Sequence, residues 1–146
     1  APRPGQPRQQ AARPAPVPAG TGLPERVTAA VAALREDLAA EPFAAPDAGR
    51  LAELRLDTRS LAAAQRAGLL LRITDQIVLA PGADAEAARI LARLPQPFTA
   101  AEARKALGTT RRVAIPLLEY LDRAGATRRL PDDRRAVTGR PPVSGR

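Results

Sequence analysis

Cysteine and histidine are absent from the 146-residue chain, and its aromatic residues amount to one Tyr and two Phe. Without thiol and imidazole groups, the chain lacks the usual nucleophiles and bases of catalytic triads, disulfide bonds and the two commonest zinc ligands. With so few aromatic rings, any core must be built from Ala, Leu, Val and Ile. Small aliphatic cores of this kind suit helical modules joined by short strands.

Two further absences narrow the function classes. The sequence has no G-x-x-x-x-G-K-[ST] loop and no G-x-G-x-x-G turn to hold a nucleotide phosphate, and no apolar run approaches the roughly 18 residues of a membrane-spanning helix. The adjacent carboxylates Glu36 and Asp37, and likewise Asp132 and Asp133, have no apolar surroundings that would make one of them a general acid. We therefore expect a cytoplasmic protein with no membrane attachment, enzyme activity, metal or cofactor of its own.

The positive charge is unevenly distributed along the chain, whose formal net charge is +8. Residues 1–23 hold three Arg and no acid, residues 24–83 hold seven basic against eight acidic residues, and residues 84–146 hold thirteen against seven. An excess confined to one folded segment and the tails indicates a phosphate-binding surface, because phosphate contacts supply much of the affinity for nucleic acids. The alternative is general solubility charge, with Arg favoured by a GC-rich gene.

Both ends of the sequence have the composition of tails. Residues 1–22 contain six Pro and three Arg and almost no large apolar residue, so we predict a disordered Pro-rich linker over 1–23. Residues 140–146, RPPVSGR, are too short and proline-rich to pack and are predicted to form a second disordered tail. Because the chain begins with Ala rather than Met, we expect it to be a C-terminal fragment of a longer polypeptide.

An internal repeat divides the middle of the chain. Pro42-Phe43 recurs as Pro97-Phe98, and Ala67-Gly68 recurs as Ala124-Gly125, at offsets of 55 and 57 residues. Around these anchors, hydrophobic periodicity predicts the order helix, strand, helix, helix, strand, strand in each copy. The predicted helices and later strands cover 25–39, 48–54, 58–67, 69–73 and 77–80 in the first copy, and 85–94, 100–107, 111–124, 126–130 and 134–137 in the second.

This order is that of the winged helix. The sequence therefore predicts a mainly α fold with small β wings, made of two tandem winged-helix domains at 24–83 and 84–139. Phe43 and Phe98 occupy matching places in two copies of different charge, which favours core positions at the end of the first strand over base-stacking roles. Gly68 and Gly125 fall where a helix C-terminus needs a left-handed residue.

The second copy contains a helix-turn-helix with arginines at the start of its second helix. Thr99 and Glu102 form a capping-box pattern that predicts a helix over 100–107. Thr109 or Thr110 can cap the next helix, whose first turn carries Arg111 and Arg112. The basic end of this helix, with its free backbone N–H groups, favours phosphate.

The other end of that helix is acidic. Glu119 and Asp122 would repel a nucleic-acid backbone lying along the whole helix, and Pro116 removes a backbone donor and can bend it. We therefore predict end-on contact through the first turn. A flipped loop base could pack near Ile115.

The predicted wing adds two pairs of arginines, Arg128 with Arg129 and Arg134 with Arg135. Strand alternation directs one of each pair outward on a given face, so we expect two to four usable contacts. The corresponding runs of the first copy, 69–73 and 77–79, are nearly uncharged. We therefore interpret the first domain as a spacer or a protein-facing module.

The run Gly108-Thr109-Thr110-Arg111-Arg112, followed by Pro116-Leu117-Leu118-Glu119-Tyr120-Leu121-Asp122-Arg123 and by Thr127-Arg128-Arg129, resembles the last winged-helix domain of the bacterial selenocysteine-specific elongation factor, SelB. The resemblance is close over about 97–135 and loose over the domain ahead of it; Ala126 and the turn Pro131-Asp132-Asp133 depart from the family pattern.

That resemblance implies a non-catalytic C-terminal extension of a translation elongation factor, whose terminal winged helix binds the selenocysteine-insertion (SECIS) hairpin in mRNA and so directs selenocysteine incorporation at UGA. It implies that GTP, Mg²⁺ and selenocysteinyl-tRNA are bound by an N-terminal part absent from this chain, that the ribosome is a partner of the full-length protein, and that the chain is a monomer. The implied RNA-binding residues are Lys105, Thr109, Thr110, Arg111, Arg112, Arg128, Arg129, Arg134 and Arg135.

Two other functions remain open from the residues alone. Winged helices often read duplex DNA, so the chain could be a transcriptional regulator, although the acidic helix face, Pro116 and the lack of an obvious dimerising helix argue against it. The arginines could instead meet an acidic protein surface. The scarcity of aromatic residues gives no platform for single strands, which favours a shaped hairpin.

Overall fold

The computed structural model describes residues 22–139, so the predicted disorder of 1–21 and 140–146 lies outside the described residues. The described part contains six helices and two antiparallel hairpins. In chain order the elements are α1 (Glu25–Ala40), α2 (Ala48–Glu53), α3 (Thr58–Arg66), β1 (Leu71–Arg72), β2 (Val78–Leu79), α4 (Ala83–Ala92), α5 (Ala100–Leu107), α6 (Arg111–Arg123), β3 (Thr127–Arg129) and β4 (Arg135–Val137). Three helices followed by a hairpin thus occur twice, and we call 22–82 the first unit and 83–139 the second unit.

The two central helices of the first unit begin at aspartate caps. The side chain of Asp47 accepts a hydrogen bond from the Arg50 N–H at the start of α2, and that of Asp57 accepts one from the Ser60 N–H at the start of α3. Each bond satisfies an otherwise unpaired donor of the first helical turn. The hairpin that follows pairs β1 with β2 in the register Leu71↔Leu79.

The second unit begins its helix-turn-helix as the sequence predicted. Thr99 and Glu102 form a reciprocal capping box, with the Glu102 N–H donating to Thr99 Oγ1 over 3.1 Å and the Thr99 N–H donating to Glu102 Oε1 over 2.8 Å. Helix α5 ends at Leu107 and Gly108 follows in the left-handed region. Strands β3 and β4 then pair in the register Arg128↔Ala136 to form the wing.

The same C-terminal turn closes α3 and α6. In the first unit, the Leu69 N–H donates to Ala64 O and the Gly68 N–H donates to Gln65 O. In the second unit, the Ala126 N–H donates to Leu121 O and the Gly125 N–H donates to Asp122 O. This is the Schellman pattern, which needs a left-handed residue after the helix. Gly68 and Gly125 supply it with φ of 79° and 84°, which confirms their predicted role.

The buried side chains of both units form one aliphatic cluster that includes the two phenylalanines. Phe43 is 6% exposed and Phe98 is 0% exposed, so both are core residues as predicted. The predicted first strand of the second unit is reduced to a single bridge between Phe98 and Arg135, with backbone bonds of 2.8 and 2.9 Å. None of the helices within 22–139 combines the length and apolarity needed to cross a bilayer.

Candidate nucleic-acid interface

Helix α6 begins without a side-chain cap. Thr110 is its N-cap residue, with extended backbone angles, but its side chain makes no capping hydrogen bond, whereas α2, α3 and α5 are each capped by an Asp or Thr side chain. The prediction that Thr109 or Thr110 caps α6 through its hydroxyl is therefore wrong. The first donors of the helix, the N–H groups of Arg111 and Arg112, stay open at the positive end of the helix dipole.

A pocket of about 170 Å³ lies beside this open end. Two arginines, Arg104 on α5 and Arg111 on α6, line it together with four aliphatic residues. The aliphatic walls are the side chains of Ala100, Ala101, Ala114 and Ile115. A pocket lined by aliphatic residues and two arginines can accept the flat face of a base while the cations hold the phosphates beside it.

The pocket adds Arg104 to the residues that the sequence predicted. Arg104 lies one turn before the end of α5, and it lines the same pocket as Arg111 because α5 packs against α6. Ile115, where the sequence placed a flipped base, lines the same pocket. Lys105 and Thr110 are exposed nearby, so the structure brings Lys105, Thr110 and Arg111 to one end of the helix pair.

Two predicted contact residues face the first unit instead. The hydroxyl of Thr109 donates to the Phe43 carbonyl oxygen over 2.6 Å, and Nη2 of Arg112 donates to the Ala45 carbonyl oxygen over 2.7 Å. Thr109 is half-buried, and its hydroxyl proton is used in this contact rather than being free to meet RNA. The side chain of Arg112 is exposed overall, and its remaining nitrogen donors can still meet an anion.

The wing arginines differ in how freely they can meet phosphate. Arg129 pairs with Asp133 over 2.6 Å, and this hydrogen bond and the charge of Asp133 raise the pKa of Arg129 further above its usual value. Arg134 lies 3.5 Å from Asp132. Arg128 is exposed, and within the described part of the chain it has no carboxylate within ion-pair distance. The wing turn therefore offsets part of its own positive charge.

Arg135 was predicted as an RNA contact, but the structure buries its side chain and engages it in an ion pair. It is 6% exposed, and its Nε donates to Asp122 Oδ2 over 3.0 Å. The Thr127 hydroxyl donates to Oδ1 of the same carboxylate over 2.6 Å. Asp122 thus ties the end of α6 to both wing strands. Its charge is compensated, so Glu119 is the exposed acid on the outer face that opposes a backbone lying along α6.

The site has the character of a binding surface. Among residues 22–139 no three acidic side chains cluster in a way that could hold a metal ion. The arrangement combines an open helix N-terminus, a small pocket and a two-stranded wing.

Three helices followed by an antiparallel hairpin define the winged-helix class, and the position of the site at the start of its last helix is that of a recognition helix. Residues 89–136 match the family model described as "Elongation factor SelB, winged helix". The predicted SelB-type winged helix is thereby confirmed for the second unit.

Solved structures show the same likeness over a longer stretch. A bacterial selenocysteine-specific elongation factor, EF-Sec, superposes with a TM-score of 0.59 and 22% identity over 79% of this chain. The mRNA-binding domain of SelB from E. coli, solved in complex with SECIS RNA, superposes with a TM-score of 0.56 and 25% identity, covering 79% of this chain and 98% of that domain. This chain spans only 18% of the length of EF-Sec. No curated protein sequence matches it with significance.

Proposed function

We propose that the second unit binds a folded mRNA hairpin, the selenocysteine-insertion element, as the RNA-binding part of a selenocysteine-specific elongation factor. The family match over residues 89–136 supports the domain type. The likeness to a domain whose structure was solved with SECIS RNA supports the ligand class. The chain itself acts by binding and carries out no reaction.

The observation that carries the proposal is the pocket between Arg104 and Arg111 at the open start of α6. An RNA hairpin presents both groups that this end can hold, namely phosphates and unpaired bases. The backbone N–H groups and the two arginines take the phosphates, and an unpaired base enters the aliphatic pocket near Ile115. Arg128 on the wing reaches a second phosphate.

The other parts of the factor's activity belong to segments outside this chain. We propose that GTP, Mg²⁺ and selenocysteinyl-tRNA bind to an N-terminal part of the full-length factor, which also contacts the ribosome. The chain then serves to hold that factor at the correct codon, in the cytoplasm where translation takes place.

Fluorescence anisotropy of the purified chain with a labelled insertion hairpin from a selenoprotein mRNA of the same genome tests this function. A hairpin with a scrambled loop and a DNA duplex of equal length are the competitors. We expect the native hairpin to be preferred by at least tenfold. Equal competition by all three, or tighter binding of the DNA duplex, would show that the chain is not a hairpin reader and would favour a DNA-binding regulator.

A matched pair of variants tests the pocket itself. Ala101→Leu fills the pocket without changing charge, and Ala106→Leu adds the same volume at an exposed position of the same helix that does not line the pocket. We expect Ala101→Leu to weaken hairpin binding by about 1 to 3 kcal/mol, the range of one lost base contact, and Ala106→Leu to leave it unchanged. Equal effects of the two variants would show that no base binds in the pocket.

A further inference from the structure

The first unit carries four exposed arginines that form no ion pair within the described residues. They are Arg26 on α1, Arg55 in the turn between α2 and α3, and Arg59 and Arg66 on α3. Arg35 on α1 also forms no ion pair among the described residues, but it is half-buried, and the two remaining arginines of the first unit are paired. Arg50 is paired with Asp37 and Glu53, and Arg72 is paired with Asp75. We call the four exposed and unpaired residues the α3 arginine surface.

The fold gathers these residues around the helix-turn-helix of the first unit. Nη1 of Arg26 donates to the carbonyl oxygen of Arg55 over 3.0 Å, which brings the start of α1 against the α2–α3 turn. Arg59 and Arg66 lie seven residues apart on the same outer line of α3, about 10 Å along the helix axis. Only the small side chains of Ala62 and Ala63 flank the line between them.

Three carboxylates lie near these arginines, namely Glu25 beside Arg26, Glu53 before Arg55, and Asp57. Glu53 is paired with Arg50. Asp57 caps α3 by accepting the Ser60 N–H over 2.8 Å. The N-terminus of α3 is therefore occupied, in contrast to that of α6, and the ligand of this surface must meet the outer side of α3 and the turn. Four positive charges against three negative charges leave the region a local excess of +1, although residues 24–83 as a whole are slightly acidic. On α3 itself, Arg59 and Arg66 are opposed by Asp57 alone.

We propose that the α3 arginine surface binds the phosphate backbone of double-stranded RNA without reading its sequence. The proposal rests on the proposed function, since the second unit would deliver the RNA. Guanidinium groups beside small alanines allow a helix to approach a sugar-phosphate backbone closely. The outer side of α3 offers no large apolar or aromatic side chain of the kind that anchors protein interfaces, which favours RNA over an acidic protein.

The chain would then hold RNA at two places with different tasks. The pocket of the second unit selects the hairpin, and the α3 arginine surface adds affinity that depends on salt but not on sequence. The hydrogen bonds from Thr109 and Arg112 to the first unit fix the two helix-turn-helix elements relative to each other.

The salt dependence of binding to a fully paired RNA duplex without a loop tests this surface. Anisotropy is measured at several salt concentrations for the wild type, for Arg59→Gln/Arg66→Gln, and for Arg35→Gln/Arg93→Gln as a control with the same charge change outside the surface. Gln is a good helix former, so the substitutions leave the fold intact, as thermal unfolding followed by circular dichroism will verify. Each lost phosphate contact lowers the slope of log K against log salt by about 0.7 to 0.9.

We expect the slope to fall by about 1.5 in Arg59→Gln/Arg66→Gln and to stay unchanged in the control. The preference of that variant for the native over the scrambled hairpin should equal that of the wild type. Equal slopes in all three proteins, no duplex binding by the wild type, or stronger competition by polyglutamate than by RNA would overturn the proposal. If the wild type shows no preference for the native hairpin, the proposed function is refuted instead. Failure of the α3 arginine surface and failure of the proposed function are therefore distinguishable.

Discussion

The hydroxyl of Thr109 donates to the carbonyl oxygen of Phe43 across 66 residues of sequence, at a distance of 2.6 Å. Phe43 is a core residue of the first unit, and Thr109 lies in the turn that leads into the recognition helix. The start of that helix is therefore fixed from outside its own unit. Arg112 strengthens the contact through the Ala45 carbonyl oxygen one turn further on.

Replacing Thr109 with Val should destabilise the protein. The substitution keeps the shape of the side chain but leaves the Phe43 carbonyl oxygen without its partner, which costs about 1 to 2 kcal/mol in free energy of unfolding. Urea denaturation followed by circular dichroism measures the change. Thr110→Val is the control, because the exposed Thr110 side chain makes no capping bond; a loss as large as that of Thr109→Val would contradict the assignment.

Replacing Thr110 with Asp should stabilise the protein and weaken RNA binding. The carboxylate supplies the missing cap of α6 and interacts favourably with the helix dipole, which together contribute about 1 kcal/mol. The same negative charge repels phosphate from the open helix end, so the Kd for the hairpin should rise at least tenfold. Thermal unfolding and anisotropy measure the two effects. Unchanged RNA binding in a stabilised variant would show that phosphate does not contact this helix end.

Removing Asp122 should be among the most destabilising single changes. Asp122→Ala leaves the buried guanidinium of Arg135 and the Thr127 hydroxyl without partners, at a cost of about 3 kcal/mol. The double variant Asp122→Ala/Arg135→Met removes both charges and should recover much of the loss. Urea denaturation of the two single variants and the double variant gives the coupling energy. Strict additivity would show that the pair does not interact.

Replacing Arg55 with Gly should stabilise the first unit. Arg55 has φ of 58°, and the Arg55 and Leu56 N–H groups donate back to Ala52 and Leu51, so it occupies the left-handed position that Gly108 fills in the second unit. A glycine relieves the strain by about 0.5 to 1 kcal/mol. Arg59→Gly, in the first turn of α3, is the control and should destabilise. A loss of thermal stability in Arg55→Gly would contradict the inference that the backbone of Arg55 is strained.

Part of the stability should depend on the ionisation of Asp57. The hydrogen bond from the Ser60 N–H holds the pKa of Asp57 below its usual value of 3.8. A carboxyl group with a lowered folded-state pKa stabilises the protein above its unfolded pKa, and this contribution is lost as the pH falls through the folded pKa. Wild type should therefore lose more stability than Asp57→Asn between about pH 6 and about pH 2.5 in urea denaturation. Equal losses would indicate that the charge of the cap contributes nothing.

The elements that the sequence predicted well are those specified by neighbouring residues. Three such local patterns are the capping box at Thr99, the glycine turns after α3 and α6, and the aliphatic periodicity. Each involves residues close in sequence, and the observed helices agree closely with them. The helix α5 covers the predicted 100–107 without change. The order of three helices and a hairpin could therefore be predicted from sequence, whereas the first strand predicted in each copy is absent from the described first unit and a single bridge in the second.

The features that sequence did not reveal depend on distant partners. The carbonyl oxygens that accept hydrogen bonds from Thr109 and Arg112 lie 66 and 67 residues away in sequence. No local sequence pattern indicates these bonds. Strand alternation predicted that one of Arg134 and Arg135 points inward, but only the position of Asp122 shows that it is Arg135. Arg104 lines the pocket because α5 packs beside α6, a contact that the sequence does not indicate.

The uncapped start of α6 has a thermodynamic consequence. The side chains of Thr109 and Arg112 hold the start of α6 in place, but its first backbone donors lack partners, and a phosphate bound there becomes the cap that the sequence omits. RNA that binds at this end should therefore raise the stability of the folded protein. Amide hydrogen exchange at Arg111 and Arg112 should accordingly slow when the hairpin binds, because the bound phosphate protects these two N–H groups.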